Sequence, residues 1–299
     1  MLLEHVIMFC KIANEKSISK VAQANHISQP ALSLQMQRLE EELGVKLFER
    51  SNRGIQLTQA GIIMQKYGLQ FMQSYDNLRE EIDNLKSSKV TFRIAASPVT
   101  CDYALPCILY KANQKFPDYS FTLNGFPSNE VIAQIRNEQA DLGFIVGRCQ
   151  DDDIICNDAF VDKIHLVAKT GYNIKSIHSL DDLKRHPLIM LNENFSSYRL
   201  VYNYLKQMGY TTENFKINYH LNTTEAVKSA VIAGHGLAFL PYMAIKKEIY
   251  MKELQIIELP DFDLNYDVYS IYRTKDGSLE TTQKEIIQYL IHNVNKNIC

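Results

Sequence analysis

The sequence predicts three parts in series: an all-α head carrying a small hairpin, a long amphipathic helix, and an α/β region that fills the rest of the chain. Three observations predict this. Residues 1–58 are short helical patterns broken by polar turns, and residues 59–87 form one amphipathic pattern without proline. From Val90 onward, nine short β-branched or aromatic runs, one of them at 162–169, alternate with helical patterns, so largely parallel sheets are expected. At 299 residues and 46% hydrophobic, the chain is too long for one ordinary domain and apolar enough to bury real cores. The polar stretch Lys86 to Lys89, just ahead of Val90, is the expected boundary.

In the head, Val6, Phe9 and Ala13 continue a helical face that starts at Leu2. Ser17 offers an N-cap for a short second helix that buries Ile18, Val21 and Ala22. A tight turn at His26 to Ser28 follows. Ser28 is a second N-cap, and Pro30 sits in the first turn of a third helix, where a missing N–H costs nothing. That helix runs to Leu43 and stops at Gly44, a glycine suited to the left-handed position past a helix end. Leu32, Met36, Leu39 and Leu43 make its buried stripe. The opposite face holds Pro30, Leu34, Gln37, Arg38 and Glu41, flanked by Gln29, Ser33 and Gln35. Amides and arginine make paired hydrogen bonds to base edges, so two helices with a tight turn and this outer face read as a helix-turn-helix. A generic solvated helix has the same pattern. Val45, Leu47 and Phe48 then anchor a hairpin that returns through Ile55 and Leu57. Arg50 and Arg53 stand at its tip as cations for phosphate or a minor groove, making a wing.

In the long helix, Phe71, Tyr75, Leu78, Ile82 and Leu85 recur at spacings of four and three, a heptad-like seam. Pairing with a second copy and packing on the chain's own core both fit that pattern. The chain's formal charge is -2, and residues 1–58 hold seven Lys/Arg against six acids. Duplex affinity then has to come from geometry and from two heads binding together, not from bulk charge.

Other chemistries leave little trace. Cys10, Cys101, Cys107, Cys149, Cys156 and Cys299 make no C-x-x-C pair and no zinc spacing. Buried structural thiols are expected; a thiol switch at Cys101/Cys107 or Cys149/Cys156 is the alternative. Asp151, Asp152 and Asp153 read as a solvated loop sooner than a metal site. There is no phosphate-binding glycine loop, no nucleophile elbow and no zinc-protease motif, so no enzyme, cofactor or metal is expected. No run approaches 18 apolar residues and no signal peptide is visible, so the expectation is a cytoplasmic chain off the membrane.

The runs SQPALS (28–33), LEEELGVKLFER (39–50) and LTQAG (57–61) resemble the signature of the LysR-type transcriptional regulators. The likeness continues through residues 92–121, 138–147 and 222–241, so it spans nearly the whole chain. The resemblance implies a ligand-responsive transcription regulator with a winged helix-turn-helix at 1–58, a dimerising linker helix at 59–88 and an effector-binding domain at 89–299. That domain would resemble two-lobed periplasmic binding proteins, with one lobe at about 90–161 and 268–299, the other at about 162–267, and a ligand in the cleft. On the DNA side it implies that Gln29, Pro30, Ser33 and Arg38 face the groove, with Ser19 near phosphate and Arg50 and Arg53 in the wing. Residue 34 is commonly basic in the family and is Leu34 here. An apolar residue there either packs on thymine methyls or tucks against the wing. The implied partners are double-stranded DNA with a two-fold-symmetric site, RNA polymerase, a small-molecule effector, and further copies as homodimer or homotetramer. A metabolite-binding protein with no DNA function is the alternative.

Three segments carry hydroxyls at a strand-to-helix step: Ser97, Pro98, Val99 and Thr100; Asn194 to Arg199, with Ser196, Ser197 and Arg199; and Asn222 to Ala226, with Thr223 and Thr224. Each alone reads as simple N-capping. Together, in the fold that the resemblance implies, they would hold a small inorganic oxyanion or carboxylate. The segments at 196–199 and 223–226 look most like the sulfur-assimilation subgroup of the family.

Overall fold

The computed structural model describes residues 3–51, 54–84, 89–174, 176–193, 195–273 and 281–296. The chain divides into two compact units, Met1–Ser87 and Ser88–Cys299.

In the first unit, α1 (Leu3–Glu15), α2 (Ile18–Ala24) and α3 (Gln29–Leu43) pack on one another around Val6, Phe9, Ile12, Val21, Leu32, Met36 and Leu39. The caps form where the sequence places them. The Ser17 hydroxyl accepts from the Lys20 amide, the Ser28 hydroxyl accepts from the Ala31 amide, and Gly44 takes φ 69°. The turn between α2 and α3 uses His26 at φ 56°. Three inward expectations are corrected. Leu43 and Val45 are exposed, because α3 ends there and no element covers that side of its last turn. Ile18 is only half-buried, being the first residue of α2.

The hairpin consists of β1 (Phe48–Ser51) and β2 (Gly54–Leu57), antiparallel with Phe48 opposite Leu57. Helix α4 (Gln59–Asn84) follows at once. Thr58 ties the two together: its hydroxyl donates to the Lys46 carbonyl at 2.6 Å and accepts from the Gly61 amide at 2.9 Å. The α4 seam is open. Phe71, Tyr75, Leu78 and Ile82 are all exposed, as are Ile62, Ile63, Tyr67 and Leu69, so it does not lie on its own unit's core. Leu85, the last seam position, lies outside the described residues.

In the second unit, β3 (Val90–Ala96) pairs in parallel with β4 (Tyr119–Gly125) and β5 (Leu142–Val146). Helices α5 (Pro106–Lys115) and α6 (Ser128–Arg136) make the crossovers. The second lobe holds β7 (Pro187–Leu191), β8 (Lys216–Leu221), β9 (Ala238–Pro241) and β10 (Leu254–Ile257), with α7 (Ser196–Gln207), α8 (Thr224–Ile232) and α9 (Tyr242–Tyr250). Helix α10 (Thr281–Lys296) packs back on α5. Two long strands, β6 (Ile154–Lys169) and β11 (Leu264–Arg273), run through both lobes. The first half of β6 pairs with β11 and its second half with β9 and β10.

Two sequence expectations change here. The sheets were expected to be largely parallel, but every pairing made by β6 and β11 is antiparallel. Strand β6 also begins eight residues before the apolar run at Asp162. Its first half is polar on one side, and strand pairing, not hydrophobic alternation, holds it.

Gly61 is a close-approach glycine: a Cβ there would stand 2.1 Å from the Leu47 carbonyl oxygen, which is backbone and cannot swing away. Gly61→Ala is expected to lower stability by about 2 kcal/mol or more by overpacking, measured by urea unfolding of the full-length protein.

Candidate functional site

The first candidate site is the outer face of α3 with the hairpin beside it. Ser28, Gln29, Pro30, Leu34, Gln37 and Arg38 are exposed and Ser33 is half-buried. The helix thus presents its predicted face to solvent. Gln37 is partly engaged, donating its amide to Glu41 at 2.8 Å. Ser19 is exposed on α2, beside the Ser17 hydroxyl at 3.3 Å. Arg50 lies on β1, opposite Ile55. Arg53 lies outside the described residues. Leu34 is 49% exposed and lines no part of the described groove beside the hairpin. The groove there is lined by Ile18, Ser33, Met36, Gln37, Glu40, Lys46, Phe48 and Ile55.

Glu40, which the sequence analysis passed over, sets the hairpin's position. Its carboxylate accepts from the Leu47 amide at 2.8 Å, the Phe48 amide at 3.2 Å and the Lys46 ammonium at 2.6 Å. Burial alone would raise its pKa, but Lys46 and the two amides outweigh burial and hold it below the ordinary glutamate value. Its spacing of six to eight residues from those partners matches no helical pair, so only the fold reveals the role.

The second candidate site lies between the lobes of the C-terminal unit. After β3 the chain makes one wide turn over Thr100–Ala104, closed by the Leu105 amide on the Thr100 carbonyl at 3.2 Å. Ser97 and Thr100 are buried and their hydroxyls bond each other at 2.9 Å. Pro98 is half-buried and Val99 is buried. The Thr223 hydroxyl accepts from the Ala226 amide at 3.1 Å and caps α8, and Thr224 is buried. The Ser97, Thr100 and Thr223 hydroxyls are therefore engaged in capping and core bonds. Ser196 and Ser197 are half-buried at the start of α7, and Arg199 is exposed. Asn194 lies outside the described residues.

The segments nonetheless meet around one rim. The Ser196 hydroxyl lies 3.3 Å from that of Ser128, which also accepts from the Val146 amide at 3.1 Å. The Ser97 amide donates to the Phe144 carbonyl at 2.8 Å. The Asn192 amide side chain bonds Asn222, and the Tyr103 hydroxyl bonds Glu225, joining the wide turn to α8. Ser128 had the same strand, hydroxyl, helix signal as the other three segments and was readable from it.

Behind Tyr103 lies a charge cluster that spacing did not show. Lys228 is 5% exposed and contacts Glu225 at 2.7 Å, Glu248 at 2.8 Å and the Ala244 carbonyl at 3.1 Å, with the Tyr103 ring centre 5.1 Å away. Burial alone would lower the Lys228 pKa, and the two glutamates raise it instead. Burial and Glu225 together push Asp102 up. This end of the rim is acidic.

The opposite end differs. Helices α6 and α7 both start there without a side-chain cap, behind Pro127 and Phe195. Both helix starts carry a positive dipole end suited to an anion.

Among the thiols, Cys10, Cys101, Cys149 and Cys156 are free. Burial pushes Cys101 up to about 11 and raises Cys10 and Cys149. Cys107 departs from the expectation of a free thiol: it is disulfide-bonded. Cys299 lies outside the described residues. Asp151 pairs with Arg136 at 2.5 Å, and no group of three potential metal ligands occurs among the described residues. No described helix is long and apolar enough to cross a membrane.

Two family models match this architecture. Residues 3–62 match the bacterial regulatory helix-turn-helix protein, lysR family, and residues 86–292 match the LysR substrate binding domain. The chain belongs to the LysR family. This LysR-type protein is a DNA-binding transcriptional regulator with an effector-binding domain. It is 28% identical over 298 residues to a probable RuBisCO transcriptional regulator of Porphyra purpurea, covering 97% of this chain and 94% of that one. A protein of the same description from Nostoc sp. is 29% identical over 310 residues, covering 99% and 91%. In three dimensions the LysR-type chain resembles CbnR, a LysR family transcriptional regulator, at TM-score 0.71 and 17% identity, covering 99% of this chain and 100% of that one. CbnR bound to its target DNA gives TM-score 0.70 at 17% identity, with 98% and 100% covered. The relatives named here are RuBisCO regulators and not sulfur-assimilation regulators, so the sulfur likeness carries no further argument.

Because folding lowers the Glu40 pKa, its contribution is full above the unfolded value near pH 4.3 and is lost as pH falls through the lower folded value. Glu40→Gln is expected to cost about 1–2 kcal/mol at neutral pH and little at strongly acid pH. Amide hydrogen exchange at Leu47 and Phe48, compared with the native chain across pH, checks this.

Proposed function

We propose that residues 1–58 read a two-fold-symmetric duplex site as part of a homodimer or homotetramer, and that residues 89–299 sense a small anionic effector. Residues 59–88 join the copies. The open apolar seam on α4 carries the assembly reading, because eight exposed large apolar residues on one helix need a cover. Ser28, Gln29, Pro30, Ser33, Leu34, Gln37 and Arg38 are assigned to the groove, and Ser19, Arg50 and Arg53 to the backbone. The lobes are assigned to about 90–161 with 268–299, and to about 162–267. The protein acts without catalysis, in the cytoplasm, and communicates with RNA polymerase.

The uncapped starts of α6 and α7, meeting at Ser128 and Ser196, support an anionic effector. They favour an inorganic oxyanion or a small carboxylate. Ser197 and Arg199 are on the same helix start; Ser97, Pro98, Val99, Thr100, Thr223 and Thr224 shape the rim. An effector that fits one separation of the lobes better than another shifts the balance between them. Thiolate chemistry at Cys10, Cys101 and Cys149 is disfavoured, since burial raises all three.

Duplex affinity is expected to fall steeply with salt. Arg50→Ala or Arg53→Ala should weaken binding to every duplex, whereas Gln29→Ala or Arg38→Ala should lose about 1–3 kcal/mol of discrimination at one base pair. Electrophoretic mobility shift on the selected site and on random duplex checks both. For the effector, thermal unfolding of the full chain with sulfate, sulfite, thiosulfate, phosphate and short carboxylates is expected to single out one anion. At ~100 times its Kd that anion adds roughly 2.7 kcal/mol; Ser196→Ala should abolish the gain, and a panel with no shift would remove the anion assignment.

A further inference from the structure

We propose that Leu34 is a specificity-determining residue that reads thymine through its C5-methyl group. The proposal rests on the reading of α3 as the groove-binding helix and deepens it. Leu34 is 49% exposed and belongs neither to the head's core nor to the groove beside the hairpin. Pro30, one turn before it, and Ala31 are exposed as well. Over its first two turns, then, α3 presents a small apolar surface where recognition helices contact base edges. The polar groups further along are differently committed. Gln37 bonds Glu41, and Arg38 extends from the next turn.

Base chemistry then selects the partner. In the major groove thymine presents a methyl group beside a single acceptor. Cytosine presents an amino donor, and the purines present an N7 acceptor with a further donor or acceptor. A leucine over the methyl removes apolar surface from water. Over any other base it strips water from a polar group and returns no hydrogen bond. Both effects favour thymine at one position in each half-site.

The test uses full-length protein and a site selected from random duplexes. Each thymine is replaced in turn by deoxyuridine, which deletes the methyl and leaves pairing intact. Burying one such carbon is worth about fourfold in affinity. One position per half-site is expected to show that loss, and with Leu34→Ala it is expected to vanish. Leu34→Ala, at an exposed position, should leave the circular dichroism spectrum and melting unchanged. Leu34→Arg should select a different base there. If Leu34→Ala alters no deoxyuridine penalty, or no position shows one, the thymine assignment is wrong while duplex binding stands. If the full chain selects no site at all, the reading of α3 itself fails.

Discussion

Residue pairs run from Leu264 opposite Ile164 to Arg273 opposite Ile154 with one shift of register, and this antiparallel ladder joins β6 to β11. β6 then continues into pairing with β9 and β10, and β11 pairs with β5 along its other edge at Val268–Ile271. Both lobes are therefore built on the same two strands. A ladder of this kind carries the right-handed twist of its strands. A register shift at Val268/Tyr269 sits within it, and such irregularities are where strands bend. The buried Asp162 strengthens this region, accepting the Tyr266 hydroxyl at 2.8 Å. Everything at the rim, from Tyr103 on Glu225 to Ser128 against Ser196, depends on where these two strands place the lobes.

The DNA-reading head works by a similar economy. Its caps and core positions follow from local spacing, but the hairpin has only four paired residues on each strand and cannot hold its own position. Glu40 supplies the tether, using a carboxylate on the face of α3 that is neither core nor outermost. Thr58 does the same from the other end, bonding Lys46 and Gly61. The hairpin is thereby tied to α3 at one end and to α4 at the other. A groove-reading surface needs that, because base contacts reward only groups held in place before binding.

Much of this was legible in the chain itself. The caps at Ser17 and Ser28, the stop at Gly44, the inward Leu32, Met36 and Leu39, and the nine strand runs of the second unit, β6 in its second half only, follow from residue type and period. Such features depend on neighbours within a few residues, so a sequence carries them whole. What the tertiary structure alone decided is of another kind. It decided that Leu34 is exposed, that the Ser97 and Thr100 hydroxyls bond each other, that Glu40 holds the hairpin, and that Lys228 is buried between Glu225 and Glu248. It also turned the sheet antiparallel where the lobes join. Each of these is a contact between segments far apart in the chain or a choice between two faces. The physical reason is that such contacts are fixed by burial and chain closure over the whole unit, for which no local pattern of residues is a sufficient statement.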